Sequence, residues 1–249
     1  MQTQHTPYTQ QRAWGFWPTI GFGILIVTAL VIIEFLVLGT YVLVELIRDP
    51  QADRSGLTEE LATNGLFVAI TTFIIAPIVI GLVAFFIRLR KGYSIRQYLS
   101  ISKVRTRPLI RAIYLTLLLV FVLAIIGTLM DTSDSDWQTN IYENAPYLPL
   151  LWIAIVLVAP IYEEVVFRGF LFTGIQESKL GPLGAILITS FGWAILHFQY
   201  NIYGITTIFV LGLAFGFARL RTKSIVVPTT MHIINNLISM IGLALYTSS

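Results

Sequence analysis

The chain contains no cysteine. Disulfides, thiolate metal sites and a cysteine nucleophile are excluded, and the redox compartment stays undecided. Charge is nearly as scarce. Lys, Arg, Asp and Glu make up 12% of the 249 residues, about half the share found in a soluble globular domain. No internal repeat or low-complexity segment breaks the chain, and the His-Glu-x-x-His spacing of helix-borne zinc proteases is missing. No cleavable signal peptide is expected, because the first fifteen residues are mostly polar and the first apolar run is longer than a signal core.

What is present is apolar. Hydrophobic residues reach 56%, in several runs of the length needed to cross a bilayer. The expected architecture is all-α: a polytopic transmembrane helical bundle of about seven spans, with a polar site buried at mid-membrane. It reads as one integral membrane domain over 1–249, with a tail and three variable spans in 1–147 and a four-span core in 148–246. Spans are expected near 16–46, 65–87, 112–130, 147–174, 183–200, 205–218 and 224–246, the fifth and sixth short enough to be partly re-entrant. The first is longer than one crossing needs and must tilt or protrude. Pro77 marks a kink in the second. Gly212 and Gly216 form a small-xxx-small pair suited to close helix packing, and a weaker sign of dimerisation. Oligomeric state is otherwise open.

The net charge of +3 does not point to nucleic acid, because the basic residues flank apolar runs. If the chain threads alternately, Arg12, the eight basic residues from Arg88 to Arg111, Lys179, Arg219, Arg221 and Lys223 share one side. Only Arg48 and Arg54 face the other. That bias predicts an N-in, C-out, multi-pass protein; the membrane expected is that of a bacterial cell. The Arg88–Arg111 cluster is then a topology determinant that also touches anionic lipid. Loops on the opposite side are acidic, with Asp49, Asp53, Glu59 and Glu60 in one and Asp131, Asp134, Asp136 and Glu143 in the other.

Within the fourth span lies Ala159-Pro160-Ile161-Tyr162-Glu163-Glu164-Val165-Val166-Phe167-Arg168-Gly169. An ionised carboxylate at membrane depth costs at least about 2.5–3.5 kcal/mol, so such groups pair, face a hydrated cavity, or work. Glu164 and Arg168 are four apart on one helical face, acid first, which suits an ion pair. Glu163 is turned about 100° away and has no sequence-local partner. Arg168 is therefore expected to neutralise Glu164 and to leave Glu163 free. Pro160 lacks an amide hydrogen, so a kink or a restarted helix is expected there, with its N-terminal dipole aimed at the carboxylates.

Two later spans carry further polar groups: Trp193 and His197 in the fifth, and His232, Asn235 and Asn236 in the seventh. His232 and Asn236 are four apart and face the same way. Counted inward from the basic ends at 1.5 Å per residue, Glu163, His197 and His232 fall about 18, 21 and 12 Å deep. An acid, two imidazoles and an amide at similar depth form a water-activating set, whose natural reaction is hydrolysis of an amide or ester. Glu34, in the first span, has no partner there and reads as a solvated or helix-pairing carboxylate. Asn235 reads as an interhelical hydrogen bonder, and Trp193 as packing or a site wall.

Glu163-Glu164-x-x-x-Arg168, Trp193-x-x-x-His197 and His232-x-x-x-Asn236 together resemble the three-motif signature of the CPBP family. Its members are CAAX prenyl endoproteases and bacteriocin-processing or self-immunity proteins, also called the Abi family of intramembrane proteases. The likeness spans about 148–246, under half the chain, with Trp193 where phenylalanine is commoner. The resemblance implies a glutamate-dependent intramembrane protease acting on a peptide or membrane-protein substrate, prenylated or with a leader. Glu163 and His197 would activate water, His232 and Asn236 would form an oxyanion hole, and Glu164 and Arg168 would be structural. No cofactor is the favoured expectation. The zinc alternative would use Glu163, His197 and His232 as ligands. Two other readings remain open from the sequence: a non-catalytic adaptor or self-immunity protein, and a proton-coupled transporter, the latter weakened by the lack of two related halves.

Overall fold

The computed structural model of the chain describes residues 13–51, 56, 57, 61, 63–130, 132 and 136–248. Arg12, Asp53, Arg54, Glu59, Glu60, Asp131 and Asp134, and the side chain of Asp136, lie outside the described residues. Among the described residues every regular element is helical.

Six helical runs are long and apolar enough to span a membrane. They are α1 (Phe16–Arg48), α2 (Gly65–Leu89), α4 (Thr106–Leu129), α6 (Leu148–Gln176), α8 (Ile202–Thr222) and α9 (Val226–Tyr246). A shorter apolar helix, α7 (Gly181–Ile195), sits between α6 and α8. Two further small helices are α3 (Ile95–Tyr98) and α5 (Asp136–Glu143). The protein is a multi-pass integral membrane protein.

Local chemistry sets several helix starts. The Asn64 side chain accepts from the amides of Leu66 and Phe67, both at 3.0 Å, and caps α2. Ser94 and Gln97 form a reciprocal capping box on α3. Asn201 accepts from Gly204 at 2.8 Å and starts α8. Pro77 sits inside α2, which continues past it to Leu89.

Hydrogen bonds sort the loops into two ends. At the first end Glu177, after α6, accepts from the Ala13 amide, before α1, and from the Tyr93 hydroxyl, after α2. Ser224 donates to the Ser102 carbonyl at 3.0 Å, and Ile225 donates to the Ser100 carbonyl at 3.2 Å. Tyr98 is buried here on Phe170, and burial raises its phenol well above the ordinary range, so it stays neutral. At the second end Gln138 of α5 donates to the Tyr200 hydroxyl at 3.3 Å, and the Tyr203 hydroxyl donates to the Leu123 carbonyl. Helix α7 starts at the first end and leads into Tyr200 at the second. It therefore crosses too, although its 15 residues cover only about 22 Å.

Three sequence expectations shift. The third span starts at Thr106, so Arg107 and Arg111 ride on its first turns instead of in a loop. The fifth helix stops at Ile195, which leaves His197 in the turn beyond it. Arg219 does not belong to a solvated basic turn. It is buried, donates through Nε to the Arg168 carbonyl at 2.9 Å, and reaches the Ser100 hydroxyl at 2.5 Å. A guanidinium there bonds a carbonyl and a hydroxyl of α6 and a hydroxyl after α3, which a solvated loop charge could not do.

Helices α7 and α8 pack closely where Gly212 and Gly216 lie. A Cβ on Gly212 would sit 2.9 Å from the Ser190 Cβ, and one on Gly216 would sit 3.1 Å from Ile186. Both glycines thus serve packing within the chain.

Candidate active site

Helix α6 carries the acid pair and is not a plain α-helix. It contains two wide turns, Ala154–Val158 and Val165–Leu171, on either side of an α-helical Ala159–Glu164. The expected restart at Pro160 does not occur. Val158 and Ala159 keep right-handed helical angles, so no helix N-terminus is aimed at the carboxylates. The wide turn absorbs the proline instead. The Ala159 amide bonds to the Ala154 carbonyl, five residues back. In that register the next donor, to Ile155, would be Pro160, which has no amide hydrogen. Asn236 Nδ2 supplies the missing bond, donating to the Ile155 carbonyl at 2.9 Å. Asn235 Nδ2 donates to Asn236 Oδ1 at 3.1 Å and fixes that amide's orientation.

Glu164 and Arg168 point into the dry interior, both side chains 0% exposed, with Nη1 2.8 Å from Oε1. Arg168 also donates to the Gly212 carbonyl at 3.2 Å and lies over the rings of Trp193 and Phe215, at 4.6 and 5.4 Å. His232 Nδ1 stands 3.2 Å from the same Glu164 Oε1. The pairing anticipated from i, i+4 spacing is present, with an imidazole added.

Glu163 points the other way. It lines a cavity of about 600 Å³ together with Trp193, His197, His232, Asn235 and Asn236. Contrary to the expectation from sequence it is not free: its Oε2 accepts from Trp193 Nε1 at 2.6 Å. Among the described residues its second oxygen takes no hydrogen bond. His232 Nε2 lies 4.0 Å from Glu163 Oε2. His197 Nδ1 is 2.8 Å from the Trp193 carbonyl, and its ring meets the Trp193 ring edge-on at 5.4 Å. Trp193 also contacts the His232 ring at 4.9 Å. It therefore organises the acid and both imidazoles, a larger part than the wall foreseen for it.

These contacts assign tautomers. A carbonyl or a carboxylate only accepts, so Nδ1 carries the proton in both histidines. In neutral rings Nε2 then holds a lone pair. Among the described residues Glu163 is the single Asp, Glu, Lys or Arg on the cavity wall. Among the described residues no three His, Asp or Glu side chains form a group that could hold a metal ion, so the donor set proposed for zinc is not assembled in this geometry. Glu34 lies apart, exposed on a stretch of α1 that also exposes Ile32, Phe35 and Leu36, and it is not on the cavity wall.

Residues 145–238 match the family model described as Rce1-like, type II CAAX prenyl endopeptidase Rce1-like. Among curated proteins, an uncharacterised 24.3 kDa protein of Escherichia coli is 28% identical over 113 residues, 43% of this chain and 52% of its own length. A Bacillus subtilis protein named "Putative membrane peptidase YdiL" is 32% identical over 103 residues, 41% of each chain. The chain thus spans about half or less of the curated relatives it matches. No solved structure matches it significantly.

Proposed function

We propose that this chain, whose residues 145–238 carry the Rce1-like domain, is an intramembrane endopeptidase with Glu163 as its general base. The supporting observation is the cavity. It gathers Glu163, His197, His232 and Asn236 from α6, the turn after α7, and α9, around one space at membrane depth.

Glu163 is held at Oε2 by Trp193 and keeps Oε1 for water. His197, anchored at Nδ1 by the Trp193 carbonyl, offers Nε2 as a second acceptor for that water. Glu163 takes a proton as the water oxygen bonds to the scissile carbonyl carbon. The carbonyl oxygen gains the charge beside His232 and the second amide hydrogen of Asn236. The C–N bond then breaks, and the proton passes from Glu163 to the leaving nitrogen. His232 stands between the two glutamates, Nε2 4.0 Å from Glu163 Oε2 and Nδ1 3.2 Å from Glu164 Oε1. Glu164 and Arg168 hold His232 in place and touch no substrate.

The proposed chemistry is metal-free. Elemental analysis of purified active protein tests this, and stoichiometric zinc that activity requires would contradict it. The peptidase reading itself is tested by mapping protein C-termini in host membranes with the wild type and with Glu163→Ala. A set of new C-termini that depends on Glu163 is expected, and identical sets would overturn the assignment.

A further inference from the structure

Resting on the peptidase reading, we propose that the site receives its substrate from the extracytoplasmic side. The substrate is then the outer juxtamembrane segment of a membrane-spanning or membrane-anchored polypeptide, and not a prenylated C-terminus in the cytosol.

The cavity reaches only one end of the bundle. Thr132, Trp137 and Gln138, after α4, and Gln199, Asn201 and Gly204, between α7 and α8, line it there. None of these six is fully buried. Toward the other end the wall stops at Trp193, Leu211 and His232, all buried. Behind that floor lies Arg168, stacked on Trp193 and Phe215, with Arg219 bonded to its carbonyl and to Ser100. No wall residue comes from 86–105 or 219–225. A chain entering from that end would have to break the packed, hydrogen-bonded contacts of Arg168 and Arg219 and leave buried charges unpaired.

Charge says which end is which. The sealed end carries most of the basic residues from Arg88 to Arg111, together with Lys179, Arg221 and Lys223. The sequence has no Lys or Arg from 112 to 167, from 197 to 218, or after 223. The stretches that hold the six mouth residues therefore lack a basic residue, and Arg48, at the end of α1, is the described basic residue on that side. By the positive-inside rule the sealed end is cytoplasmic and the mouth faces outward. Within the mouth, threonine, glutamine, asparagine and tyrosine side chains suit the backbone of an extended polar segment, and about 600 Å³ lies within the range of ligand pockets.

The chain has no cysteine, so single-cysteine variants report position without a background. Gln199→Cys and Thr132→Cys place thiols at the mouth, and Lys103→Cys places one at the sealed end. Each is exposed in a bacterial host to a membrane-impermeant maleimide, in intact spheroplasts and after lysis. Gln199→Cys and Thr132→Cys are expected to label in intact spheroplasts, and Lys103→Cys only after lysis. The reverse pattern, or mouth thiols that stay unlabelled on both sides in folded protein, overturns the proposal. Labelling needs no turnover. A chain that labels as expected yet cleaves nothing contradicts only the peptidase reading, and one that cleaves through Glu163 but labels from the cytoplasm contradicts only the sidedness.

Discussion

Two polar interiors share α6, and one residue of sequence separates them. Glu164 faces the dry one, where it, Arg168, Gly212, His232 and Arg219 are linked by hydrogen bonds and ion pairs against aromatic rings. Glu163 faces the open one, where the side chain keeps 14% exposure and one unengaged oxygen. Both regions hold a carboxylate at membrane depth, and each meets the cost differently. In the first Arg168 and His232 meet the charge at Oε1, while Glu164 Oε2 and Arg168 Nε are sealed from water without a hydrogen bond among the described residues, and the groups are structural. In the second a single indole donor fixes the acid and leaves its other oxygen toward the cavity. Substitutions should therefore separate cleanly into those that unfold the protein and those that silence it.

The largest effect is expected from Arg168→Ala. It leaves Glu164 buried without its cation, at a cost of about 3–5 kcal/mol, read as a loss of folded protein in detergent unfolding. Trp193→Phe keeps the ring and removes the donor to Glu163. A hydrogen bond to a charged group is worth about 1.5–3 kcal/mol, so turnover should fall about ten- to a hundredfold while the unfolding midpoint moves little. Unchanged turnover would show that the indole only packs. Asn236→Ala probes the boundary between the two interiors. It orphans the Ile155 carbonyl and should cost about 1–3 kcal/mol in stability as well as activity. An activity loss with no stability change would assign Asn236 to the oxyanion alone. The smallest effect is expected at Glu34→Gln. An exposed position away from the cavity should shift stability by no more than about 0.5 kcal/mol and leave turnover in place. A large loss there would mean that the active region extends onto α1.

Much of this division was legible in the sequence, for physical reasons. Long apolar runs set the spans, because lipid tolerates little else. The Glu164–Arg168 pair could be read because i, i+4 neighbours must meet on any helix. The convergence of Glu163, His197 and His232 followed from depth counting, and that of Asn236 from its i, i+4 spacing to His232, even though His197 sits past its helix instead of on it. What escaped the sequence lies between helices or in helical register. The Trp193–Glu163 bond links residues thirty apart, and only the replacement of a commoner phenylalanine by a residue with a donor hinted at it. The wide turn at Ala154–Val158 has no sequence period of its own, so neither the survival of the helix at Pro160 nor the donation from Asn236 to Ile155 was visible. Arg219 looked like a loop charge because its partners, Arg168, Ser100 and Thr173, are distant in sequence.

The central claim, that adjacent glutamates serve two different interiors, is tested most directly by comparing Glu163→Gln with Glu164→Gln in purified protein, scoring peptide cleavage and detergent unfolding side by side. The account predicts that Glu163→Gln unfolds like the wild type and loses cleavage by about a hundredfold or more, whereas Glu164→Gln is strongly destabilised. Wild-type cleavage by a folded Glu163→Gln protein would contradict it.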